Sequence, residues 1–194
     1  MERANCCNTA CFGNEAENVV GVDIRFLNNI RYNGKIRLIV ADGRELPFKN
    51  GQFDLVSLFS VLEHIPDMDG AVREAFRGLR RNGGMLIQLP NEFFPVDLHS
   101  GLPLINYLPS ILKNKLLRLI RYEWLIDLNL PNLKRMIRLI TKIEPKALIV
   151  NIEKIVYPEA IITASTRRIS KLFRWLGIFH VLPYGYLLEI QRAL

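Results

Sequence analysis

Val19-Val20-Gly21-Val22-Asp23 and Leu38-Ile39-Val40-Ala41-Asp42-Gly43 are short apolar runs that each stop at an aspartate. A strand buried on both faces of a parallel sheet reads this way. Its carboxyl end opens onto the crevice where such sheets bind ligands. Two such ends in succession predict a nucleoside site, with Asp23 accepting from the ribose hydroxyls and Asp42 reaching the adenine. An ionised carboxylate suits the task, because charge-assisted hydrogen bonds contribute about 1.5–3 kcal/mol each. The structural alternatives are a strand-end or helix-capping role for Asp23 and a turn role for Asp42 before Gly43.

The pattern continues on the C-terminal side. Val19–Asp23, Arg37–Ala41, Phe53–Leu58 and Met85–Leu89 read as strands, rich in Val, Ile, Leu and Phe and followed by turn residues. Asp67–Leu79 reads as a helix: Met68, Ala71, Val72, Ala75, Phe76 and Leu79 recur at helical spacing. Arg73, Glu74, Arg77 and Arg80 are expected to face outward, with Asn82-Gly83-Gly84 as the stop. Strand and helix alternate, which predicts a parallel α/β sheet.

The second half differs. Leu112, Leu116, Leu119, Ile120 and Trp124 are expected on one helical face, with Lys115, Arg118 and Arg121 off it. Leu133, Met136, Ile137 and Ile140 repeat the pattern beside Lys134, Arg135 and Arg138, with Pro131 in the first turn. A third basic amphipathic piece runs from Arg167 to Leu176, and Lys146–Val156 and Tyr186–Gln191 look like strands. Residues 1–97 hold 11 Lys+Arg against 13 Asp+Glu, a net of −2, whereas residues 98–194 hold 15 against 6, a net of +9. Such asymmetry suggests an anionic partner, with a solvated basic surface as the bland alternative.

Length and composition set the outer bounds. The 194 residues suffice for one domain with a buried core, and the 49% hydrophobic content fits a globular chain. No apolar run reaches the roughly 18 residues of a membrane span, and the N-terminus does not read as a secretory signal. Cys6, Cys7 and Cys11 cluster at one end, which is no disulfide framework and lacks a fourth metal ligand nearby. A cytoplasmic location is the expectation, with no metal.

In order and spacing, Val19–Asp23, Leu38–Gly43, Leu46-Pro47-Phe48, Gln52–Leu58, Val61–Ile65 and Leu79–Ile87 resemble the class I S-adenosylmethionine-dependent methyltransferases of small-molecule type. The resemblance covers roughly residues 19–91. It implies an α/β, Rossmann-like sheet of parallel strands flanked by helices, closed by a C-terminal antiparallel hairpin from the two late strands. It implies S-adenosyl-L-methionine as cofactor, with the Asp23 and Asp42 roles given above and the Gly43 backbone beside the adenine. Ile24 and Leu46 would sandwich that ring. Ser60 to His64 would lie where methyl donor and acceptor meet, Ser60 on the cofactor side. His64 is then a candidate general base, or else a helix-capping or pocket-lining histidine. The polar, proline-punctuated stretch Leu89–Pro103 is similar to a substrate loop, in which Asp97 and His99 would form a base and its orienter. His99 as a simple loop hydrogen-bonder is the alternative.

The N-terminus departs from the family. The Gly-rich loop expected before the ribose-binding acid is replaced by Cys6-Cys7-Asn8-Thr9-Ala10-Cys11-Phe12, and there is too little chain for a first strand. That strand is normally central, so its loss predicts two sheet halves with unpaired backbone between them. Three explanations stay open: a fragment or mis-started frame, a degenerate cofactor site, or an altered loop rebuilt by residues 1–12.

The expected organisation is a single domain over residues 1–194. Residues 1–18 form the altered loop region, 19–91 the cofactor core, 92–145 the substrate loop and basic cap, and 146–194 the closing strands and helix. The expected function is methyl transfer to a small-molecule, glycan or lipid-linked acceptor. The basic helices would rest on an anionic membrane with Trp124 and Trp175 at its interface. The alternative is a non-catalytic scaffold with a decayed cofactor site. RNA methylation is disfavoured, since no RNA-binding module is recognisable, and so is nicotinamide chemistry, since no dinucleotide loop is present.

Overall fold

The computed structural model describes residues 18–25, 36–97, 102–121, 132–155 and 183–193. In chain order the elements are β1 (Val19–Asp23), β2 (Ile36–Val40), β3 (Phe53–Phe59), a 3-10 turn (Leu62–His64) and α1 (Met68–Gly78). There follow β4 (Leu79–Pro90), a second 3-10 turn (Ile105–Tyr107), α2 (Ser110–Leu119), α3 (Leu133–Ile143), β5 (Leu148–Ile155) and β6 (Gly185–Gln191).

The strands form two sheets. β1 and β2 pair in parallel, Val19 opposite Ile36 and Asp23 opposite Val40. The other sheet has the order β3-β4-β6-β5, with β3 parallel to β4 and the last two strands antiparallel to their neighbours. The C-terminal antiparallel closure thus stands as expected. Among the described residues no ladder joins β1 to β3. Among those residues the strands thus fall into two separate ladders, and residues 1–17, on which the expectation about a first strand turns, lie outside the described residues.

One face of the larger sheet carries the core. Met85 pairs with Ile190 and Ile87 with Leu188, and the period of two sends all four side chains to that face, where they are buried. Helices α1 and α3 cover it. Met68, Ala71, Val72, Ala75 and Phe76 of α1 meet Met136, Leu139 and Ile140 of α3 in one apolar cluster with Leu79 and Leu89. Burying each large aliphatic side chain contributes about 1.5–3 kcal/mol, which holds these layers together. α1 begins where its sequence signals, since the Asp67 carboxylate accepts from the Gly70 amide at 2.9 Å.

Several expectations need correction. α1 ends at Gly78, and Asn82-Gly83-Gly84 lies inside β4 rather than stopping the helix. Gly84 pairs with Leu55 of β3, whereas Asn82 and Gly83 lie in an irregularity of that ladder and exchange backbone hydrogen bonds with Arg192 past β6. Asn82 adopts a φ of 58° there, which asparagine tolerates better than most residues. On α1, Glu74 and Arg77 do not face freely outward but bind a loop described below. On α2, Leu117 is fully buried and packs with Ile105, Leu116 and Ile120, while Leu112 and Leu119 are exposed. The apolar face of that helix is thus rotated from the expected one. Pro131 lies outside the described residues, and α3 is capped by Asn132, whose side chain accepts from the Arg135 amide at 2.8 Å. Trp124, Trp175, the Arg167–Leu176 piece and the three cysteines also lie outside the described residues.

Arg192, just past β6, ties the end of the sheet to the end of α1. Its guanidinium donates to the Phe76 carbonyl at 2.7 Å and to the Leu79 carbonyl, and it pairs with Glu144 at 3.2 Å. A cation at a helix C-terminus satisfies carbonyls that have no partner within the helix.

Candidate functional site

The carboxyl ends of β1, β2 and β3 each place one segment of the sequence-predicted site. Asp23 is the last residue of β1. Its Oδ1 accepts from the Arg25 amide at 2.8 Å, and its carbonyl accepts from the Ala41 amide at 3.0 Å. These bonds set the end of β1 beside the end of β2. Ile24 follows with 66% of its surface exposed, a large apolar side chain left open at a strand end.

Asp42 and Gly43 follow β2. Gly43 lies against the segment after β3: a Cβ built there would stand 3.3 Å from Ile65 Cδ1. The loops after β2 and β3 are thereby packed together, although no ladder joins their sheets. The Asp42 carboxylate is engaged. Arg44 reaches it through Nε at 3.0 and 3.1 Å and through Nη2 at 2.6 Å. Those side-chain hydrogen bonds, helped by the Arg44 amide, hold the Asp42 carboxyl down at about 2. Arg44→Ala is expected to raise it toward the ordinary aspartate value of 3.8 but short of it, because the residue-44 amide still donates to the carboxylate. Carbon-detected NMR titration of the Asp42 carboxyl would check this. An unchanged titration would mean that the pair does not persist in solution.

The loop from Leu46 to Asn50 is held from beneath by α1. The Leu46 amide donates to Glu74 Oε2 at 3.0 Å. Arg77 donates to the Leu46 carbonyl at 2.9 Å, the Phe48 carbonyl at 2.7 Å and Asn50 Oδ1 at 2.8 Å, while pairing with Glu74 at 2.7 Å. The Arg77 hydrogen bond is the leading cause of a lowered Glu74 carboxyl, outweighing desolvation. Phe48 meets Phe53 edge to face at 4.8 Å. The sequence reading took Glu74 and Arg77 for surface charges; their four-residue window gave no sign of a loop some thirty residues upstream.

Ser60 ends β3 with a φ of 48°, a left-handed conformation uncommon for serine. It starts the turn into Leu62–His64, in which Leu62 and Glu63 are buried and His64 is exposed. The buried neighbour of His64 was named in the sequence reading only as part of a pair; its burial was not foreseen.

After β4 the chain makes a closed loop. Asn91 Nδ2 donates to the Pro183 carbonyl at 2.7 Å and its Oδ1 accepts from the Phe93 amide at 3.0 Å. Val96 and Pro103 form an isolated antiparallel bridge, reinforced by Leu104 N to Pro95 O at 2.7 Å. Asp97 is buried in this loop, and Asn106 Nδ2 donates to its Oδ2 at 3.3 Å. Asn106 in turn accepts from Lys113 Nζ at 2.8 Å. Asn106 and Lys113 were not read from the sequence, where nothing marks a seven-residue spacing across a loop and a helix. His99, the expected partner of Asp97, lies outside the described residues.

The site residues therefore fall into two groups. Asp23, Ile24, Asp42, Gly43, Leu46, Ser60 and His64 sit at the ends of β1, β2 and β3, whereas Asp97 sits in the loop after β4. A carboxylate beside an exposed apolar residue suits a nucleoside, which needs hydroxyl acceptors and an apolar wall for its ring.

Comparison with known proteins agrees. Residues 4–87 match the family model described as a methyltransferase domain. The ubiquinone/menaquinone biosynthesis C-methyltransferase of Rhizobium johnstonii is 31% identical over 80 residues, 41% of this chain. The match spans only 30% of that relative's length. An S-adenosylmethionine-dependent methyltransferase from Mesorhizobium loti superposes with a TM-score of 0.57 at 17% identity, covering 91% of this chain and 81% of the other. A second, from Methanosarcina mazei, gives 0.53 at 15% identity over 91% and 82% of the two chains. Residues 4–87 thus match a methyltransferase domain, and the chain shares the fold of the S-adenosylmethionine-dependent methyltransferases.

Proposed function

We propose that the chain binds S-adenosylmethionine through the ends of β1, β2 and β3 and directs its methyl group to a small-molecule, glycan or lipid-linked acceptor. The observation that carries this reading is Asp23 at the tip of β1 with Ile24 exposed beside it. In this reading Asp23 accepts from both ribose hydroxyls, and Ile24 and Leu46 flank the adenine. Gly43 lets the backbone approach the ring edge. Asp42 reaches the adenine amino group only if Arg44 gives up part of the carboxylate. Ser60 lies on the cofactor side of the turn after β3.

Bound cofactor supplies an electrophilic methyl group on a good leaving group, so the protein's contribution is mostly positioning. In this reading the exposed imidazole of His64 takes a proton from a hydroxyl or acidic carbon of the acceptor. Asp97, buried and held by Asn106, is the candidate residue on the acceptor side, with His99 its proposed partner. Residues 19–91 form the cofactor core in this reading and 92–145 the acceptor side.

A second reading is favoured by a specific observation. No ladder joins β1 to β3 among the described residues, and Asp42 is already paired with Arg44. A chain in that state serves as a non-catalytic, methyltransferase-fold scaffold. Calorimetric titration of S-adenosylhomocysteine into the folded chain separates the two. Micromolar binding supports the enzyme, and no binding by a cooperatively folded chain overturns it in favour of the scaffold.

A further inference from the structure

Helix α2 is apolar on two opposite faces. One carries Leu117, with Leu116 and Ile120 flanking it, against Ile105, Leu102 and Leu108. The other carries Ile111, 87% exposed, Leu112, 51% exposed, and Leu119, 80% exposed. Helical spacing places Lys115 between them, one turn from both Ile111 and Leu119, with Arg118 three residues beyond Lys115. Both cations are exposed, and no acidic residue lies in α2. The contrast with α3 is informative: its Met136, Leu139 and Ile140 are buried in the core, so its basic residues cover nothing apolar that faces water.

The approach to α2 has the same character. Leu104 adopts a φ of 56°, costly for a leucine, yet it is half exposed. Its amide bonds to Pro95 and its carbonyl to Tyr107, so two loop contacts hold the backbone in that conformation. Tyr107 is also half exposed. A chain of 16 residues, from Leu104 to Leu119, thus leaves five large apolar side chains in solvent.

We infer that the outer face of α2 is an in-plane docking surface for an anionic lipid bilayer. An interfacial helix needs large apolar side chains to enter the headgroup boundary and basic residues that keep their charge at the phosphates. Ile111, Leu112 and Leu119 supply the first requirement. Lys115 and Arg118 supply the second, their aliphatic stems lying along the apolar stripe. The charge balance fits an anionic surface, since residues 98–194 carry a net of +9. α2 follows the Asp97 loop directly, so a bilayer resting on it lies beside the proposed acceptor side. The surface does not depend on methyl transfer, and its test uses no cofactor.

The experiment is co-sedimentation of the full chain with phosphatidylcholine vesicles, with and without phosphatidylglycerol, at low and physiological salt. The variants are Ile111→Ser/Leu119→Ser and Lys115→Glu/Arg118→Glu, checked for folding by circular dichroism; all four positions are exposed. The wild type is expected to bind anionic vesicles, to release them as salt rises and to ignore neutral ones. Each lysine or arginine at an anionic surface is worth about fivefold in partitioning, so reversing both charges should weaken binding at least about 25-fold. The serine pair should weaken it at least about tenfold. No binding by the wild type at low salt overturns the inference, as does equal binding by both variants. A wild-type dimer that the serine pair dissociates, read by light scattering, also overturns it, because a second copy then covers this face.

Discussion

Replacing Asp23 with alanine is expected to weaken S-adenosylhomocysteine binding by about 10²–10⁴-fold, the largest effect of any single site residue. Two charge-assisted hydrogen bonds at about 1.5–3 kcal/mol each give about 3–6 kcal/mol, and about 1.4 kcal/mol is tenfold in affinity. Asp23→Asn should fall between, since the amide keeps one acceptor oxygen and loses the charge. The fold should survive. Asp23 ends its strand, and within the described residues its carboxylate holds the Arg25 amide, a single local turn bond. Calorimetry beside a melting curve checks both halves. A folded Asp23→Ala chain with wild-type affinity would remove Asp23 from the cofactor site.

Arg77→Ala is expected to lower the urea midpoint by about 1 M, with an unchanged denaturant slope. Arg77 binds two loop carbonyls, Asn50 and Glu74, and its side chain is only 30% exposed. Alanine would leave the Leu46 and Phe48 carbonyls and the Glu74 carboxylate with fewer partners near apolar surroundings, which is why removing one member costs more than the pair is worth. The linkage has a definite sign. Arg77 lowers the Glu74 carboxyl below its usual value of 4.5, so the pair stabilises the fold above that value. This stability fades as pH falls through the lowered folded value. The acid-side loss should therefore be smaller in Arg77→Ala than in the wild type. An unchanged urea midpoint in Arg77→Ala would mean that the loop is not held from α1.

The loop is also how α1 reaches the proposed cofactor site. Leu46 follows Asp42 by four residues, and Arg77 grips Leu46, Phe48 and Asn50 while its helix packs on the larger sheet. Gly43 against Ile65 adds a second tie between the two halves. Among the described residues the β1–β2 sheet is thus attached through loops and side chains. A loosened loop should weaken cofactor binding as well as the fold, an effect that Asp23→Ala would not reproduce in a melting curve.

What the sequence determined was local. The two apolar runs ending at Asp23 and Asp42 became parallel strands, because β-branched residues in short blocks fit a pleated surface, although Val22 and Val40 stay exposed rather than buried as expected. The Met68 to Phe76 spacing became a helix with its apolar stripe on the sheet, and Asp67 capped it. These features depend on residues a few positions apart, whose contacts the covalent chain brings about by itself.

What the tertiary structure decided was which face, which partner and which ending. Asn82-Gly83-Gly84 reads as a stop by composition, yet the Arg192 backbone holds Asn82 and Gly83 and Leu55 of β3 pairs with Gly84, so the strand continues through it. Glu74 and Arg77 read as solvated charges, yet loop carbonyls brought in from residues 46 and 48 made them an anchor. Leu119 reads as core, yet α2 turned Leu117 toward Ile105 and left Leu119 in solvent. In each case the deciding atoms lie far along the chain. A hydrogen-bonding partner or an apolar surface that only folding delivers outweighs a preference of a few tenths to about 1 kcal/mol set by neighbours in sequence.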